Sequence, residues 1–472
     1  MHKTTLFCLC CCFALFQAAA QTFELGFNPA KPLVFEHPEQ DKALFLFMQE
    51  RTLDNRNYDG KVFLCRADKV DSLRENTVSL RISGYEDPNV RRLCRASRAD
   101  CAYFALENND QCRVFRLSWN DLRLEQTDSL PAMKDERFVL GLSNGPHACV
   151  VSYWKSKKEG EHLFIYKIDA AGKLQKHDFP ISENESDDFE RIFKKSYNLL
   201  VGKAELRPLS VQYGMEHDPE AAARKPKMFI GDDVVWLAYD AEVQNFSVLK
   251  FYTFDLKTNT LTQQKYDYGS GTPMAEAKGA SYVYDGKIFQ VANSATSLDI
   301  AIRDLWTGNV LQHHRYGIDK DSIVFANSPI LMPGRGVLGV EKEYDSPKKF
   351  LKRFKNFQPS VQVRREGNDY LLCIGGYELV DTRTPGVMKP NGLMVGGGGM
   401  VYERACSFYS AVNANNLFRS NVRYERTLAS YYADMSQFLD GITDEAILRV
   451  GGKHYVGRYV IQGKRYELRK VK

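Results

Sequence analysis

An all-β fold built from repeated four-stranded modules is predicted by three observations. The 472 residues include 25 Tyr and 28 Phe, a composition that favours strands over helices. Short apolar runs bounded by Asp, Asn and Gly recur along the chain. These runs fall into groups of four, and the third run of each group ends in a polar residue that opens a turn.

The stretch Phe246 to Tyr268 shows the unit most clearly: strand, the polar turn Asp255-Leu256-Lys257-Thr258-Asn259, strand. Its first strand is apolar on both faces, with Val248, Tyr252 and Phe254 on one side and Leu249 and Phe251 on the other. Such a strand suits a sheet packed between two other sheets. Equivalent groups are read at 33–82, 91–130, 137–181, 228–268 and 280–318. Their turn-opening residues, Asp68, Asn120, Asp169, Asp255 and Asp304, are separated by 52, 49, 86 and 49 positions. The long interval contains a 46-residue stretch, 182–227, without strand character; setting it aside leaves 40. A period of 40–50 residues with four strands per unit predicts a β-propeller, whose blades stack face to face. Further blades are drawn over 323–381 and 388–472, giving six or seven in one domain, 21–472, with helical insertions.

The turns Asp169-Ala170-Ala171-Gly172 and Asp304-Leu305-Trp306-Thr307-Gly308 place an Asx acceptor first and Gly at a positive-φ position. They resemble the turns of quinoprotein-like and WD-type propeller blades over about five residues per blade. The Trp-Asp dipeptide of WD repeats, the sialidase Asp-box and the regular tryptophans of the quinoprotein family are absent. No specific family is assigned, and no cofactor is carried over.

Helices are expected at three places. Ser346 caps a helix that starts at Pro347 and turns Phe350, Leu351, Phe354 and Phe357 to one side. Within 182–227, Asp187 is expected to cap DDFERIFKK, and Asp218-Pro219 to start EAAARK. Leu428 to Leu439 has helical spacing and is stopped by Gly441.

The N-terminus reads as a secretory signal: Lys3, an apolar core from Leu6 to Phe16, and Ala18-Ala19-Ala20 before Gln21. No run reaches the roughly 20 apolar residues of a membrane helix. The expectation is an exported chain, periplasmic, surface-located or secreted, cleaved near Ala20–Gln21. Lipidation at Cys8, Cys10, Cys11 or Cys12 is not expected, because none follows a Leu-small-small pattern. Seven cysteines remain after position 20; being odd in number and placed in apolar runs, they read as buried thiols.

Net charge is +5, and residues 449–472 hold eight Lys or Arg against Glu467 alone. That tail reads as edge protection for late strands, with peripheral contact to an acidic surface as the other reading. Nothing points to nucleic acid.

Strand connectivity indicates where function belongs. In a four-strand meander the 2→3 loops and 4→1 connections share one face. The 182–227 stretch is a 4→1 connection, and the Pro347 helix is drawn in a 2→3 loop, so both insertions project from one face. So do the loops 51–60, 155–161 and 293–297. Irregular insertions on one face of a repeat fold are where binding is expected. Tyr58, Lys157, His217, Lys349, Lys352 and Arg353 are the candidate binding residues. Catalytic, metal and cofactor residues are not assigned: no Gly-x-Ser-x-Gly, His-Glu-x-x-His or phosphate loop is present. Glu183, Glu185, Asp187, Asp188 and Glu190 form an acidic cluster that reads as a solvated helix N-terminus. His313-His314 lies on one strand with its side chains on opposite faces, which disfavours a shared metal. Gly396 to Gly399 lacks the Lys and helix of a phosphate loop.

The reading reached is an exported propeller that binds a protein or glycan partner through the face carrying 182–227 and 344–357. The alternative is a hydrolase or lyase acting on extracellular glycan, with carboxylates at the axial mouth of that face.

Overall fold

The computed structural model describes residues 21–25, 27, 32–48, 57–67, 70, 72–81, 91–108, 111–193, 208–211, 213, 217, 219–243, 246–268, 277–319, 325–332, 342–344, 346–381, 387–388, 394–395, 401–424, 446–451, 453–460 and 463–470. The signal sequence, Asp68, Gly396–Gly399 and the helix expected at 428–439 lie outside them.

Strands dominate the described residues, where they form seven sheets of four or five strands, the blade architecture of a β-propeller, and one two-stranded pair, Val387–Met388 with Met394–Val395. Sheet 1 runs Leu33–Glu36, Lys42–Met48, Asn57–Arg66, Ser72–Arg81, each strand antiparallel to the one before. Sheets 2 (Arg91 to Pro131), 3 (Arg137 to Ile181) and 5 (Lys278 to Gly317) repeat the same sequential order. Sheet 4 (Pro226 to Asp267) does so with one addition, a short parallel strand Leu209–Ser210 beside Pro226–Ile230.

The last two sheets differ from the sequence reading. Sheet 6 takes its central strand from Val401–Asn413, which the sequence placed in the following unit. Val401–Asn413 pairs along its whole length with Asp369–Asp381, from Asp369↔Asn413 to Asp381↔Val401. Gln358–Glu366 lies on the far side of Asp369–Asp381, with Leu331–Met332 and Lys342–Glu343 on the other edge. Sheet 7 contains Ala446–Val450, Lys453–Val460 and Arg465–Lys470, completed by the N-terminal strand Gln21–Glu24. Nothing local in QTFE marks it as the partner of a strand more than 440 positions away.

The chain forms two compact units. The first contains sheets 7, 1 and 2 and most of sheet 3; the second contains sheets 4, 5 and 6, with the division falling inside sheet 3. In the first unit, sheets 7 and 1 bury Phe23, Phe45, Phe47, Phe63 and Tyr466 together, and sheets 1 and 2 bury Phe35, Leu46, Phe104 and Phe115. In the second, one continuous core joins sheets 4 to 6 through Phe229, Tyr282, Phe289, Tyr370 and Phe408. In sheets 1, 2 and 5 the middle strands are apolar on both faces because each of these sheets packs on a neighbour on either side, as expected of blades.

The turns between third and fourth strands are built as the sequence indicates. The Asp304 carboxylate accepts from Trp306 N at 3.1 Å and Thr307 N at 2.7 Å, and Gly308 adopts φ +72°. Asp169 holds Ala171 N and Lys173 N, both at 2.8 Å, with Gly172 at φ +77°. Asp255 holds Lys257 N and Thr258 N, and Asn259 takes the positive φ.

All seven cysteines from Cys65 to Cys406 are buried free thiols. Burial pushes the Cys94 thiol well up, and the neighbouring Cys112 and Cys149 push it further. Cys101, Cys149 and Cys406 are raised mainly by burial as well. Ellman titration at pH 8 is therefore expected to find almost no reactive thiol in the native chain from Gln21 onward and all seven in guanidinium. Rapid reaction of two or more in the native state would contradict this burial.

Candidate binding site

Among the described residues, three helices interrupt the strands of the second unit. The first, α1, spans Glu183–Phe193. Its cap is Ser182, not Asp187: Glu185 N and Ser186 N bond to Ser182 O at 3.0 Å, and Glu185 Oε2 accepts from Ser182 N and Oγ. These bonds start the helix five residues earlier than expected and use up Glu185. Asp188 faces inward and accepts from Lys250 Nζ at 2.5 Å and Tyr252 OH at 2.9 Å, with Phe189 edge-on to Tyr252. Glu183 and Asp187 are exposed. The acidic cluster therefore disperses into a cap, a buried ion pair and solvated side chains. It does not converge as a glycosidase pair would.

The second helix, α2, is the single turn Pro219–Ala222. Before it, Val211 and Tyr213 contact strands of sheets 4 and 5. Val211 N bonds Met228 O at 3.0 Å, and Tyr213 packs on Phe229 and Tyr284, at 6.2 and 5.5 Å between ring centroids. His217 N donates to Gln362 Oε1 at 2.6 Å, and Gln362 Nε2 donates back to His217 O at 3.0 Å. His217 is thus pinned by its backbone to the first strand of sheet 6.

The third helix, α3, spans Pro347–Phe354 with Pro347 at its start and Ser346 at the cap position, but the Ser346 side chain makes no cap bond and only its carbonyl accepts, from Phe350 N at 3.0 Å. Phe350, Leu351, Phe354 and Phe357 are fully buried, and Phe350 stacks on Phe354 at 4.9 Å and meets Phe408 edge-on at 5.6 Å. Its position differs from expectation. It leads into Gln358–Glu366, the edge strand that faces sheet 5, where Gln358 Nε2 reaches Gly279 O at 3.4 Å; it is not in a 2→3 loop. Both helical insertions therefore enter a sheet at the start of its first strand.

Beside α3, the paired strands Asp369–Asp381 and Val401–Asn413 run on past Tyr377, where Gln358–Glu366 stops pairing. The extension carries Glu378 and Arg404. Arg353 Nη2 donates to Glu378 Oε2 at 3.0 Å, and Arg404 Nη1 lies 3.6 Å from the same oxygen. From sheet 5, Lys278 Nζ donates to Asn356 O at 3.0 Å, just past the helix. Burial lowers the Lys278 ammonium, while Glu242 and Glu378 partly restore it and Lys225 opposes it. Lys225 in turn pairs with Glu242 at 2.7 Å. Glu378 is therefore shared by two arginines, and Glu242 is paired with Lys225. Lys348, Lys349, Lys352 and Lys355 are exposed on α3 and just beyond it, and none pairs with an anion among the described residues.

Of the residues singled out from sequence, Lys349, Lys352 and Arg353 come together on α3. The first two are free to meet a partner, and Arg353 is held inward by Glu378. Tyr58 (on the strand Asn57–Arg66) and Lys157, an exposed turn residue of sheet 3, belong to the first unit. Sequence reasoning missed Lys225, Lys278, Glu378 and Arg404. They lie on strands far apart in the chain, and no local pattern announces that they meet.

Other candidates resolve as packing. His313 Nε2 lies 3.0 Å from Asp299 Oδ1 and His314 Nε2 3.2 Å from Leu417 O, so the pair points to opposite sides. Asp233 pairs with Lys257 at 3.0 Å. Among the described residues, no group of three or more His, Cys, Asp or Glu is placed to hold a metal.

No family model matches the chain, and no curated protein matches it. Solved structures similar to it include propellers. The β-propeller domain of the Trilobed protease from Pyrococcus furiosus aligns over 96% of this chain and 97% of its own, at 8% identity and TM-score 0.36. An oligogalacturonate lyase in complex with manganese covers 96% and 98% at 8% identity and TM-score 0.35. The Dos1 propeller covers 85% and 96% at 10% identity and TM-score 0.33. At these values the likeness says nothing about activity. What strand order and packing define is an all-β propeller-class repeat protein.

Proposed function

We propose that this protein is an exported β-propeller that captures a polyanionic partner, an acidic glycan or an acidic protein segment, through the basic side of α3. The carrying observation is the imbalance around that helix. Its apolar side is fully buried, its lysines point to solvent, and the nearby carboxylates Glu242 and Glu378 are already paired with cations. A cationic surface on a rigidly docked helix attracts anions and holds them without large ordering cost. Export rests on the leader-like first 20 residues.

The test replaces Lys348, Lys349, Lys352 and Lys355 with Gln in the mature chain. Wild-type protein is expected to bind immobilised heparin or poly-glutamate at low salt and to release as salt rises. The variant should bind about tenfold more weakly or worse, given up to about 1 kcal/mol per exposed charge pair. Its melting temperature should stay within about 2 °C, because exposed substitutions away from packing features change stability little. Equal retention of both proteins removes α3 as the site, and the preferred resin separates glycan from protein.

A further inference from the structure

The sequence reading gives the short Asp-led turns no binding role. One of these turns nevertheless holds the most exposed large apolar side chain among the described residues. Trp306, in the turn between the third and fourth strands of sheet 5, is 65% exposed. The turn beneath it is rigid. Asp304 accepts from Trp306 N, Thr307 N and Thr307 Oγ1, Leu305 N bonds to Gly286 O, and Gly308 presses on the Tyr266 ring, where a Cβ would come within 2.5 Å. Trp306 is therefore held out to solvent by its turn and is not a side chain that failed to pack.

Two observations mark it as a ligand-facing group. The first concerns the indole N–H donors. Trp119 Nε1 donates to Arg98 O at 2.8 Å and Trp154 Nε1 to Lys134 O at 2.9 Å, as partly buried tryptophans ordinarily do. Neither Trp306 nor Trp236 gives its N–H to any described residue. The second is the arrangement of the two rings. They meet edge-to-face at 5.9 Å, and the sheet face that carries Trp236 continues directly into Thr253 and Thr262, opposite it in register. Gln264 follows on the same face, its Oε1 accepting from Tyr266 OH.

We infer that Trp306, backed by Trp236 and flanked by Thr253, Thr262 and Gln264, is a stacking subsite for the apolar face of a neutral pyranose. An exposed indole plane offers the C–H face of a sugar dispersion and π contact, while hydroxyl and amide groups beside it meet the ring hydroxyls. The ligand is neutral because the nearby charges are spent. Asp233 is paired with Lys257, and the Asp304 carboxylate closes its own turn. A protein interface is the poorer fit, since one indole among polar groups lacks the broad apolar centre that such interfaces bury. This site does not rest on the lysine face of α3.

The experiment is a fluorescence titration of the mature chain with cellohexaose, chitohexaose and mannohexaose in 0.5 M NaCl, which silences charge attraction. At least one should change the tryptophan emission saturably, with a Kd on the order of 0.1–1 mM, in the range of weak small-ligand binding. Trp306→Ala should weaken that binding about tenfold or more, Trp306→Tyr should restore part of it, and Thr262→Ala with Gln264→Ala should weaken it about threefold. Melting temperatures of all variants should match wild type. No response to any of the three sugars, or equal affinity in Trp306→Ala by calorimetry, overturns the assignment. Heparin binding in low salt, measured on the same Trp306→Ala protein, keeps the outcome separate from that of the α3 reading.

Discussion

Deleting residues 446–472 is expected to abolish cooperative folding of the first unit, not to release an otherwise intact protein from acidic surfaces. The deleted segment supplies three of the four strands of sheet 7 and the only partner of the N-terminal strand among the described residues. It carries Val450, Tyr455, Tyr466 and Leu468, all 4% exposed or less. At about 1.5–3 kcal/mol per buried side chain, their loss removes roughly 6–12 kcal/mol, as much as a whole domain's stability. The damage spreads, because Phe23 is left without Tyr466 opposite it and uncovers Phe45, Phe47 and Phe63, whose rings lie 5.0–5.3 Å from its own. Thermal and urea unfolding followed by circular dichroism decide the matter. A truncated chain that still melts in one sharp transition within a few degrees of wild type would mean sheet 7 is dispensable. The milder variant Phe23→Ala, at about 3–5 kcal/mol, reports the same closure without deleting backbone.

The second large effect is expected at a buried ion pair in the second unit. Asp240 and Lys227 are 3% and 1% exposed, on adjacent strands of sheet 4, with Lys227 Nζ 3.2 Å from Asp240 Oδ2. Asp240 also accepts from Ser281 N at 3.0 Å, Ser281 Oγ at 2.6 Å and the Tyr268 hydroxyl, so one carboxylate fastens sheet 4 to sheet 5. Burial drives the Tyr268 phenol well up, and the adjacent carboxylate drives it further, which keeps it a neutral donor. Asp240→Ala strands a buried ammonium and three donors at once and should cost about 3–5 kcal/mol. Lys227→Met should cost less, about 1–3 kcal/mol, because three donors still hold the carboxylate. The two costs should not add in the double variant, since the groups share one network. Urea midpoints at constant slope measure all three. A loss under 1 kcal/mol in Asp240→Ala would show that the sheets are joined by apolar packing alone.

How much of this was legible beforehand varies by feature. The turn chemistry of Asp169, Asp255 and Asp304 and the amphipathic helix after Ser346 are local, so the side chains that decide them sit within a few positions of each other. The α1 cap was misplaced from Ser182 to Asp187 because both positions carry a capping residue with Glu three residues on, and only packing chooses between them. The candidate site was legible in part. Lys349 and Lys352 could be picked out from helical spacing, whereas Glu378, Arg404, Lys278 and Lys225 reach α3 from separate strands. Tyr58 and Lys157 were grouped with them on connectivity alone, and they fall in the other unit.

From its residues alone, this chain determines strand identity, the four-strand beat and the turn that ends each third strand, because alternation and Asx geometry act over a handful of positions. Tertiary structure decides which distant strand completes a sheet: Gln21–Glu24 with Arg465–Lys470, and Val401–Asn413 with Asp369–Asp381. It also lays Tyr213 and His217 along the first strands of sheets 4 to 6. The cost of closing a loop grows only slowly with its length, so separation in sequence barely favours one partner over another. Selection falls instead to the apolar surface buried when Phe23 meets Tyr466, or Phe408 meets Phe350.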